Sequence, residues 1–334
     1  MKWVTGNIGK SHIKKAKSNT KALNVNHVLI CRPNQRLGNL LLITPLLQEV
    51  ITTFPECKID IVVKGNMATQ VFRNYKNVDK IIILPRKPFK ELIKYSRVWF
   101  SIRGRKYDLV INAVEDSSSG KLLTKMAKSS YKVFGNFNEE PEEKLADRAH
   151  IAKSCIYNLR DYLGLLGHKQ KTSHIIPKIS LQLSEKEISE GKKIVDSIVD
   201  IKKRTLAIFT FATGKKCYSK EWWSKFYEKL KTEYSNYNIL EVLPVENVSQ
   251  IDFQALTFYS KDIHEIAAVI ENTDLFIGAD GGIMHLAAAT STPTAGLFSV
   301  TDHKKYGPYG GKNISVDTNS NDVTEWVEQM NKIF

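Results

Sequence analysis

The sequence predicts an α/β fold made of two Rossmann-like, parallel-sheet domains that face each other across a cleft. Three observations support this prediction. The chain has 334 residues, about twice the usual domain length of ~150 residues. Apolar stretches of strand length alternate with stretches of helical spacing, and this alternation begins twice. The strand stretches are apolar at almost every position, as in parallel strands that are covered on both faces.

The first run of alternation predicts a domain over residues 25–175. Its strands are predicted at 28–31, 59–63, 80–84 and 109–114, with a weaker one at 131–134. Its helices are predicted at 40–54, 68–75, 89–100, 121–127 and 147–166. The last helix leads through Gly167 and a polar segment to Pro177, where the domain is expected to end.

The second run predicts another domain over residues 176–334. Its strands are predicted at 206–211, 239–243, 275–277 and 294–298, and its helices at 221–234, 263–271, 283–289 and 323–333. Ligands of such sheets bind beyond the carboxyl ends of the strands. The loops that follow the strands are therefore the candidate sites.

The excess positive charge lies entirely in the first half of the chain. The net charge is +14; residues 1–175 carry 31 Lys and Arg against 14 Asp and Glu, a net of +17, whereas residues 176–334 carry 18 against 21, a net of −3. Residues 1–24 hold six lysines and no acid, and they are predicted to form a basic N-terminal arm. This asymmetry predicts an anionic partner. The sequence has no RNP, KH, zinc-finger or helix-turn-helix pattern, so nucleic acid is not expected.

Membrane, disulfide and cofactor signals are weak throughout. No apolar run approaches the ~18–20 residues that cross a bilayer, and residues 1–24 lack the apolar core of a secretory signal, so a cytoplasmic protein is expected. Cys31, Cys57, Cys155 and Cys217 lie far apart without a CxxC pair, which predicts reduced, buried thiols. The GxGxxG fingerprint is absent, so a dinucleotide cofactor has no support.

The loop after the first strand combines glycine with two arginines. Gly38 permits close backbone approach at a helix N-terminus, and Arg32 and Arg36 add positive charge, so an anionic or polyhydroxyl ligand fits this loop. The alternative is a strand–helix turn with solvated arginines, in which Asn39 caps a helix that begins at Leu40.

The loop after the fourth strand of the first half carries two neighbouring carboxylates. Glu115 and Asp116 follow the strand directly and precede a helix, a position from which a carboxylate can act as acid or base. The alternative is that Asp116 or Ser117 simply caps that helix.

A basic turn follows the first strand of the second half. It places Thr213 before Gly214 and two lysines, Lys215 and Lys216, and such a turn suits a phosphate group. It lacks the spacing of a Walker A motif. The alternative is a solvated basic turn.

The segment after residues 275–277 is the most informative one. Asp280 stands at the end of the strand, and Gly281 and Gly282 leave the first amides of a helix unobstructed, so these amides can donate to a diphosphate. His285 lies one turn into that helix and can reach the same ligand. A lone histidine on a helix more often has a structural role.

Three segments resemble glycosyltransferase family 9, the lipopolysaccharide heptosyltransferases. RPNQRLGNLLLITPLLQEVITTFP, followed by KIDIVV, is similar to the family's opening signature. GADGGIMHLAAATSTPTAGLFSVTD resembles its donor-site signature, and Lys216-Cys217-Tyr218 with Glu221 and Trp223 resembles its Lys-x-Trp element. The resemblance covers residues 27–330 with the segments in the family's order.

The resemblance implies a GT-B fold with an acceptor-side N-terminal domain and a donor-side C-terminal domain. It implies an inverting, metal-independent glycosyltransferase that moves a sugar, expected to be a heptose, from a nucleotide-diphospho-sugar such as ADP-heptose. The acceptor would be a lipopolysaccharide core or a related anionic glycolipid. The enzyme would work peripherally at the inner face of the cytoplasmic membrane. The basic arm and a basic cluster at residues 86–106 would then face anionic lipid headgroups or a phosphorylated saccharide. No cofactor and no metal are implied, in agreement with the absence of a DxD motif.

The resemblance also implies roles for individual residues. The donor would be bound by Thr213, Lys216, Asp280, Gly281, Gly282, His285, Thr301 and Asp302. The acceptor would be bound by Arg32, Arg36 and Gly38. Within the donor set, Thr213 and Lys216 would hold phosphate or ribose, and Asp280 would contact the sugar.

Two positions depart from the family's pattern. Asn39 stands where the family has an aspartate that is thought to act as general base, and an amide cannot accept a proton at neutral pH. Either Asn39 only orients the acceptor while Glu115 or Asp116 takes the proton, or the protein is a catalytically weak member that binds donor or acceptor without efficient turnover. Gly281 replaces a serine or threonine, which removes a hydroxyl and leaves the amides.

Overall fold

The computed structural model describes residues 23–85, 91–135, 147–168, 175–320 and 322–334. The chain divides into two compact units, Met1–Pro177 and Lys178–Phe334, and this division lies two residues from the predicted domain boundary. The predicted basic arm, residues 1–24, lies outside the described residues except for its last two positions. Residues 86–90 of the predicted basic cluster also lie outside them.

The first unit is a parallel sheet with helices in its crossovers. Its strands are β1 (His27–Cys31), β2 (Lys58–Lys64), β3 (Val78–Leu84), β4 (Lys106–Asn112) and β5 (Lys128–Val133). Its helices are α1 (Leu37–Leu41), α2 (Thr44–Thr53), α3 (Met67–Val71), α4 (Leu92–Gly104), α5 (Ser118–Met126) and α6 (Ile151–Leu165). Among the described residues the sheet order is β3-β2-β1-β4-β5. Since β1 pairs with β2 on one side and β4 on the other, the loops after β1 and β4 flank a topological switch point.

The second unit repeats this plan. Its strands are β6 (Thr205–Phe209), β7 (Asn238–Val242), β8 (Leu256–Phe258), β9 (Leu275–Ala279), β10 (Thr294–Phe298) and β11 (Ile314–Asp317). Its helices are α7 (Glu185–Ile198), α8 (Lys220–Glu233), α9 (Ile263–Glu271), α10 (Gly282–Ala287), α11 (His303–Tyr306) and α12 (Val323–Asn331). The sheet order in the described chain is β11-β10-β9-β6-β7-β8, with parallel pairing throughout. The switch point here lies between β6 and β9.

The helix predicted at 40–54 is in fact two helices. The first helix, α1, begins earlier at Leu37, and the second, α2, restarts at Thr44 with Pro45 in its first turn. Proline has no backbone N–H and its ring collides with the carbonyl one turn earlier, so it is tolerated at the start of a helix but not inside one. The single long helix was therefore a wrong prediction.

Four elements of the second unit were not predicted: α7, β8, α11 and β11. The first of these carries a readable signal, because Ser184 and Glu187 form a reciprocal capping box at its start. The strands β8 and β11 are short edge strands with one buried residue each, Phe258 and Val316, so their sequences lack the continuous apolar run of the central strands.

The cysteines follow the prediction with one exception. All four are free; Cys31, Cys57 and Cys155 are buried, whereas Cys217 is half-buried, so its predicted burial was wrong. Burial raises the pKa of the Cys31 and Cys155 thiols to about 12 and that of Cys57 to about 11, which keeps them protonated. Across the described residues, no helix has the length and apolar character needed to cross a membrane.

Candidate active site

The loop after β1 is built around the pair Arg32 and Asn39. Arg32 is buried, and its Nη2 donates to Oδ1 of Asn39 at 2.6 Å while its Nε donates to the Asn39 carbonyl at 3.2 Å. A guanidinium group only donates hydrogen bonds, so this pair holds the amide oxygen toward Arg32. The amide nitrogen of Asn39 consequently points away from the arginine and is left to donate to another group.

Two parts of the alternative interpretation of this loop are wrong. Arg32 is not a solvated arginine, because its guanidinium is bonded inside the unit. Asn39 does not cap the helix: α1 begins at Leu37 with Arg36 at its N-cap, which places Asn39 within the first turn. The helix begins early because Asn34, rather than Asn39, orders the turn, with its Oδ1 accepting from the Arg36 amide at 2.9 Å.

Arg36 lies at a small polar cavity next to this pair. The cavity has a volume of about 300 Å³ and is lined by Pro33, Asn34, Gln35, Arg36 and Lys64. Gly38 is buried in α1. Two cationic side chains thus border one polar cavity at the carboxyl end of β1, which suits an anionic group.

The carboxylates after β4 remain exposed. Ser117 caps α5, since its Oγ accepts from the Gly120 amide at 3.1 Å, so the capping alternative is confirmed for this serine. Glu115 and Asp116 are both exposed in the turn before it. Glu115 lies against Gly135: a Cβ built on Gly135 would sit 2.6 Å from Cγ of Glu115. The absence of a side chain at Gly135 therefore leaves room for the Glu115 side chain, and nothing in the sequence signals this contact.

The second unit brings three predicted residues into contact at its switch point. Lys216 Nζ donates to Oδ2 of Asp280 at 2.5 Å, and the Thr301 hydroxyl donates to the same oxygen. Asp280 is only 4% exposed, whereas the Lys216 side chain is 34% exposed. Both bonds go to Oδ2, so they leave Oδ1 to other donors. Lys216 lies 64 positions before Asp280 in the sequence, and Thr301 lies 21 positions after it. They meet because β9, which leads to Asp280, pairs with β6 on one side and with β10 on the other.

An aromatic stack supports the turn that carries Lys216. The rings of Tyr218 and Trp222 stack at 4.1 Å between centroids, and Trp222 stacks in turn on Trp326. The Tyr218 hydroxyl bonds to Oγ1 of Thr318 at 2.8 Å. Burial raises the pKa of Tyr218, so its hydroxyl stays protonated.

The helix after Asp280 begins without a side-chain cap. Gly281 is the N-cap of α10 in extended conformation, so no side-chain oxygen occupies the first amides, including that of Gly282. A Cβ on Gly281 would meet nothing closer than 3.6 Å, so a serine would also fit there and the glycine is not required by space. His285 is buried in the same short helix.

Two other predicted donor residues lie outside this cluster of contacts. Thr213 is exposed at the start of the 3₁₀ turn Gly214–Lys216. The carboxylate of Asp302 caps α11 by accepting from the Lys304 amide at 2.9 Å. These two residues thus border the switch point but are not bonded to Asp280.

A buried carboxylate beneath the second unit's loops was missed by sequence reasoning. Glu241 on β7 is fully buried and accepts from the hydroxyls of Thr210 at 2.5 Å and Ser249 at 2.8 Å. These hydroxyls in turn accept from the backbone amides of Gln250 and Ile251. Glu241 therefore ties the loop after β6 to the loop after β7. A glutamate inside a strand carries no sequence signal of such a role.

We expect Glu241→Gln to flatten the pH dependence of stability. Burial raises the pKa of Glu241, so the folded chain holds its proton to higher pH than the unfolded chain does. The stability that comes from the raised pKa is present at low pH and is lost as pH rises through that pKa. Urea unfolding at pH 5 and pH 8 should show that the wild type loses more unfolding free energy between these two pH values than the variant does. Glu246→Gln, at an exposed position, is the control; equal losses in wild type and Glu241→Gln would contradict the prediction.

In the described ranges, no three His, Cys, Asp or Glu side chains are grouped so that they could hold a metal ion.

Comparison with known proteins gives a consistent result. The sequence model of glycosyltransferase family 9 (heptosyltransferase) matches residues 95–332. Lipopolysaccharide heptosyltransferase 3 of Escherichia coli is 21% identical over 300 residues, which are 83% of this chain and 85% of that protein. The glycosyl transferase family 9 structure from Veillonella parvula DSM 2008 has a TM-score of 0.68 at 18% identity and covers 95% of this chain and 92% of its own.

The E. coli heptosyltransferase WaaC, solved with ADP, has a TM-score of 0.66 at 16% identity and covers 92% of this chain and all of that one. These structural likenesses confirm the predicted fold class, two Rossmann-like parallel-sheet domains of GT-B type. The family model spans well over half of the chain. The protein is thus a glycosyltransferase, and it belongs to glycosyltransferase family 9 (heptosyltransferase).

Proposed function

We propose that the protein transfers a heptose from ADP-heptose to a lipopolysaccharide core or a related anionic glycolipid. The observation that carries this proposal is the contact of Lys216 and Thr301 with Asp280 at the switch point of the second unit, on the residues of the family's donor motif. The similarity to a lipopolysaccharide heptosyltransferase and to a heptosyltransferase solved with ADP supports the choice of donor and acceptor.

At the donor site, the enzyme must stabilise the negative charge that develops on the leaving diphosphate. In an inverting transfer, the acceptor oxygen bonds to the anomeric carbon from the face opposite the diphosphate, the bond from carbon to diphosphate oxygen breaks, and ADP leaves with the electron pair. The developing negative charge on the diphosphate needs positive groups nearby. Lys216 and the amides of Gly281 and Gly282 provide them, so the proposed reaction requires no metal and no cofactor. Oδ1 of Asp280 is available to accept from a sugar hydroxyl.

At the acceptor site, a residue must remove the proton of the attacking hydroxyl. Asn39, with its oxygen held by Arg32, presents an amide nitrogen that donates to the acceptor and cannot take its proton. Glu115 and Asp116 are exposed carboxylates after β4, which pairs directly with β1. We assign acceptor orientation to Asn39, with Arg36 and Lys64 binding an anionic group, and proton transfer to Glu115 or Asp116.

The amide at position 39 also favours a second function. Because Asn39 replaces the aspartate expected there, the protein can instead be a family member that binds donor or acceptor with little turnover. Losing a general base typically lowers a rate by ~10²–10⁴-fold. Calorimetry that detects ADP-heptose binding, together with an absence of ADP release, would support this second function.

The working place proposed for the enzyme follows from its acceptor. A glycolipid acceptor is held in a bilayer, so the enzyme would act as a cytoplasmic protein in peripheral contact with the inner face of the cytoplasmic membrane.

A donor screen tests the proposed function. The full chain is incubated with ADP-heptose, ADP-glucose and UDP-sugars, with and without detergent-solubilised lipopolysaccharide core, and nucleoside diphosphate release is followed. We expect acceptor-dependent ADP release from ADP-heptose that EDTA does not abolish. Absence of turnover with every donor would count against transfer, and loss with EDTA would overturn its metal independence.

A further inference from the structure

An exposed apolar face on α4 has no function in the site described above. Leu92, Ile93 and Phe100 are 63%, 71% and 74% exposed, values that are unusual for large apolar side chains. All three lie on the first unit, which carries the proposed acceptor loops.

This face is distinct from the face that α4 packs against its own unit. Tyr95, Val98, Trp99 and Ile102 follow the spacing of one helical face and pack on the core cluster beneath the helix. At ~100° per residue, Leu92, Ile93 and Phe100 fall on a neighbouring arc that points away from the core. The helix α4 therefore has a second apolar face, which does not pack against its own unit.

The neighbouring helix extends the exposed face. Leu122 and Met126 of α5, one helical turn apart, are 39% and 37% exposed. Met126 and the exposed α4 residues border one shallow groove of about 590 Å³, whose floor also includes Tyr95 and Trp99 at the edge of the core-packing face. The exposed apolar residues thus form one surface, which we call the α4–α5 face.

The α4–α5 face lies in segments that carry basic residues without any acid. Residues 92–107 contain five Lys and Arg and no Asp or Glu, and residues 117–135 contain four and none. Arg105 is paired with Asp60 and Asp79, Lys94 is paired with Glu91 at the N-cap of α4, and Lys132 is buried, so these three do not contribute. The remaining basic side chains of these two segments are Arg97, Arg103, Lys106, Lys121, Lys125 and Lys128, and Arg103 lines the groove itself.

Apolar side chains with a basic surround fit an anionic lipid surface. A second copy of this chain fits poorly, because a two-fold contact would bring the same basic residues together. We propose that the α4–α5 face docks the enzyme on an anionic bilayer, with Leu92, Ile93 and Phe100 inserted among the lipids and the basic side chains at the headgroups. The proposal rests on the glycolipid acceptor proposed above.

Vesicle sedimentation with apolar-to-polar variants tests the docking face. The full chain is mixed with vesicles of phosphatidylglycerol and phosphatidylethanolamine, and separately with vesicles of phosphatidylcholine alone. We expect the double variant Ile93→Ser, Phe100→Ser to lower partitioning onto anionic vesicles at least tenfold. Neither substitution changes the charge, so attraction through other basic segments stays the same. Because both side chains are exposed, the variant should keep the melting temperature of the wild type.

The matched control is Ile201→Ser, since Ile201 is 72% exposed in the second unit. It should bind vesicles as the wild type does. A second variant, Arg97→Glu with Lys125→Glu, should also weaken binding at least tenfold, whereas Lys225→Glu should not. Equal binding of wild type and the Ser double variant would overturn the proposal, as would equal binding of the wild type to anionic and neutral vesicles. A wild-type dimer that the Ser double variant dissociates would overturn it in favour of self-association.

Sugar transfer separates this proposal from the proposed function. With detergent-solubilised acceptor, the Ser double variant should release ADP at the wild-type rate, because no bilayer is required. Loss of vesicle binding with retained transfer supports the docking face. A wild type that binds anionic vesicles but transfers no sugar contradicts the proposed function and leaves the docking face standing.

Discussion

Replacing Asp280 by asparagine is expected to lower the turnover of sugar transfer about 10²–10³-fold. The substitution keeps the shape of the side chain but removes the negative charge that holds Lys216 at 2.5 Å, so that a single neutral amide oxygen is left to accept from Lys216 and Thr301. Lys216 then no longer has a fixed position toward the diphosphate, and precise placement of positive charge is what stabilises the leaving group. Steady-state ADP release with ADP-heptose measures the effect, which should fall mainly on kcat.

The control for this variant is another Asp→Asn substitution in the same unit. Asp262 caps α9 by accepting from the His264 amide at 2.8 Å, and asparagine caps helices equally well. Asp262→Asn should therefore keep both turnover and stability. Turnover of Asp280→Asn within about threefold of the wild type would contradict the proposed role of the cluster.

Replacing Asn39 by aspartate is expected to keep or raise turnover, by up to about 10²-fold. The introduced carboxylate can accept the hydrogen bond that Arg32 Nη2 now donates to Oδ1 of Asn39, and the bond from Arg32 Nε to the backbone carbonyl of residue 39 is unchanged. It also supplies the proton acceptor that the amide lacks. The positive charge of Arg32 should hold its pKa low, so the gain should be complete at neutral pH and lost toward acid pH. A pH profile of ADP release measures both effects.

Variants of the exposed carboxylates show which group takes the proton in the wild type. If Glu115 or Asp116 acts as base, then Glu115→Gln or Asp116→Asn should lower wild-type turnover about 10²-fold. The same substitution should have little effect in the Asn39→Asp background. A large loss of turnover in Asn39→Asp itself would show that the amide has a positive role. If neither carboxylate variant loses turnover, the assignment of the proton to this loop is wrong.

The central strands of both sheets are buried, and that burial is visible in sequence as a continuous apolar run. Val28, Leu29 and Ile30 of β1 are completely buried, and their run of apolar residues predicted the strand within one residue. Edge strands such as β11 are half-buried and alternate less clearly, so they escaped prediction. The helix break at Pro45 was missed because helical spacing continues across it even though the hydrogen bonding does not.

The candidate site was predictable as a set of residues but not as a set of contacts. The resemblance to a family pointed to Lys216, Asp280 and Thr301, and in the structure Lys216 and Thr301 both donate to one carboxylate oxygen of Asp280. Thr213 and Asp302 came from the same pattern yet are not bonded to that carboxylate. Spacing along the chain identifies loops at the ends of strands, whereas the direction of each side chain depends on neighbours that are far away in sequence.

The sequence by itself determined the fold class, the family and the uneven charge, because apolar periodicity, local motifs and composition are written in consecutive residues. Only the tertiary structure decided how Arg32 holds Asn39, why Glu241 is buried under two loops, and that Leu92, Ile93 and Phe100 stay exposed. Hydrogen-bond direction and solvent exposure arise from residues that meet after folding. An apolar residue on a helix reads the same in sequence whether it faces the core or the solvent, and packing alone distinguishes the two.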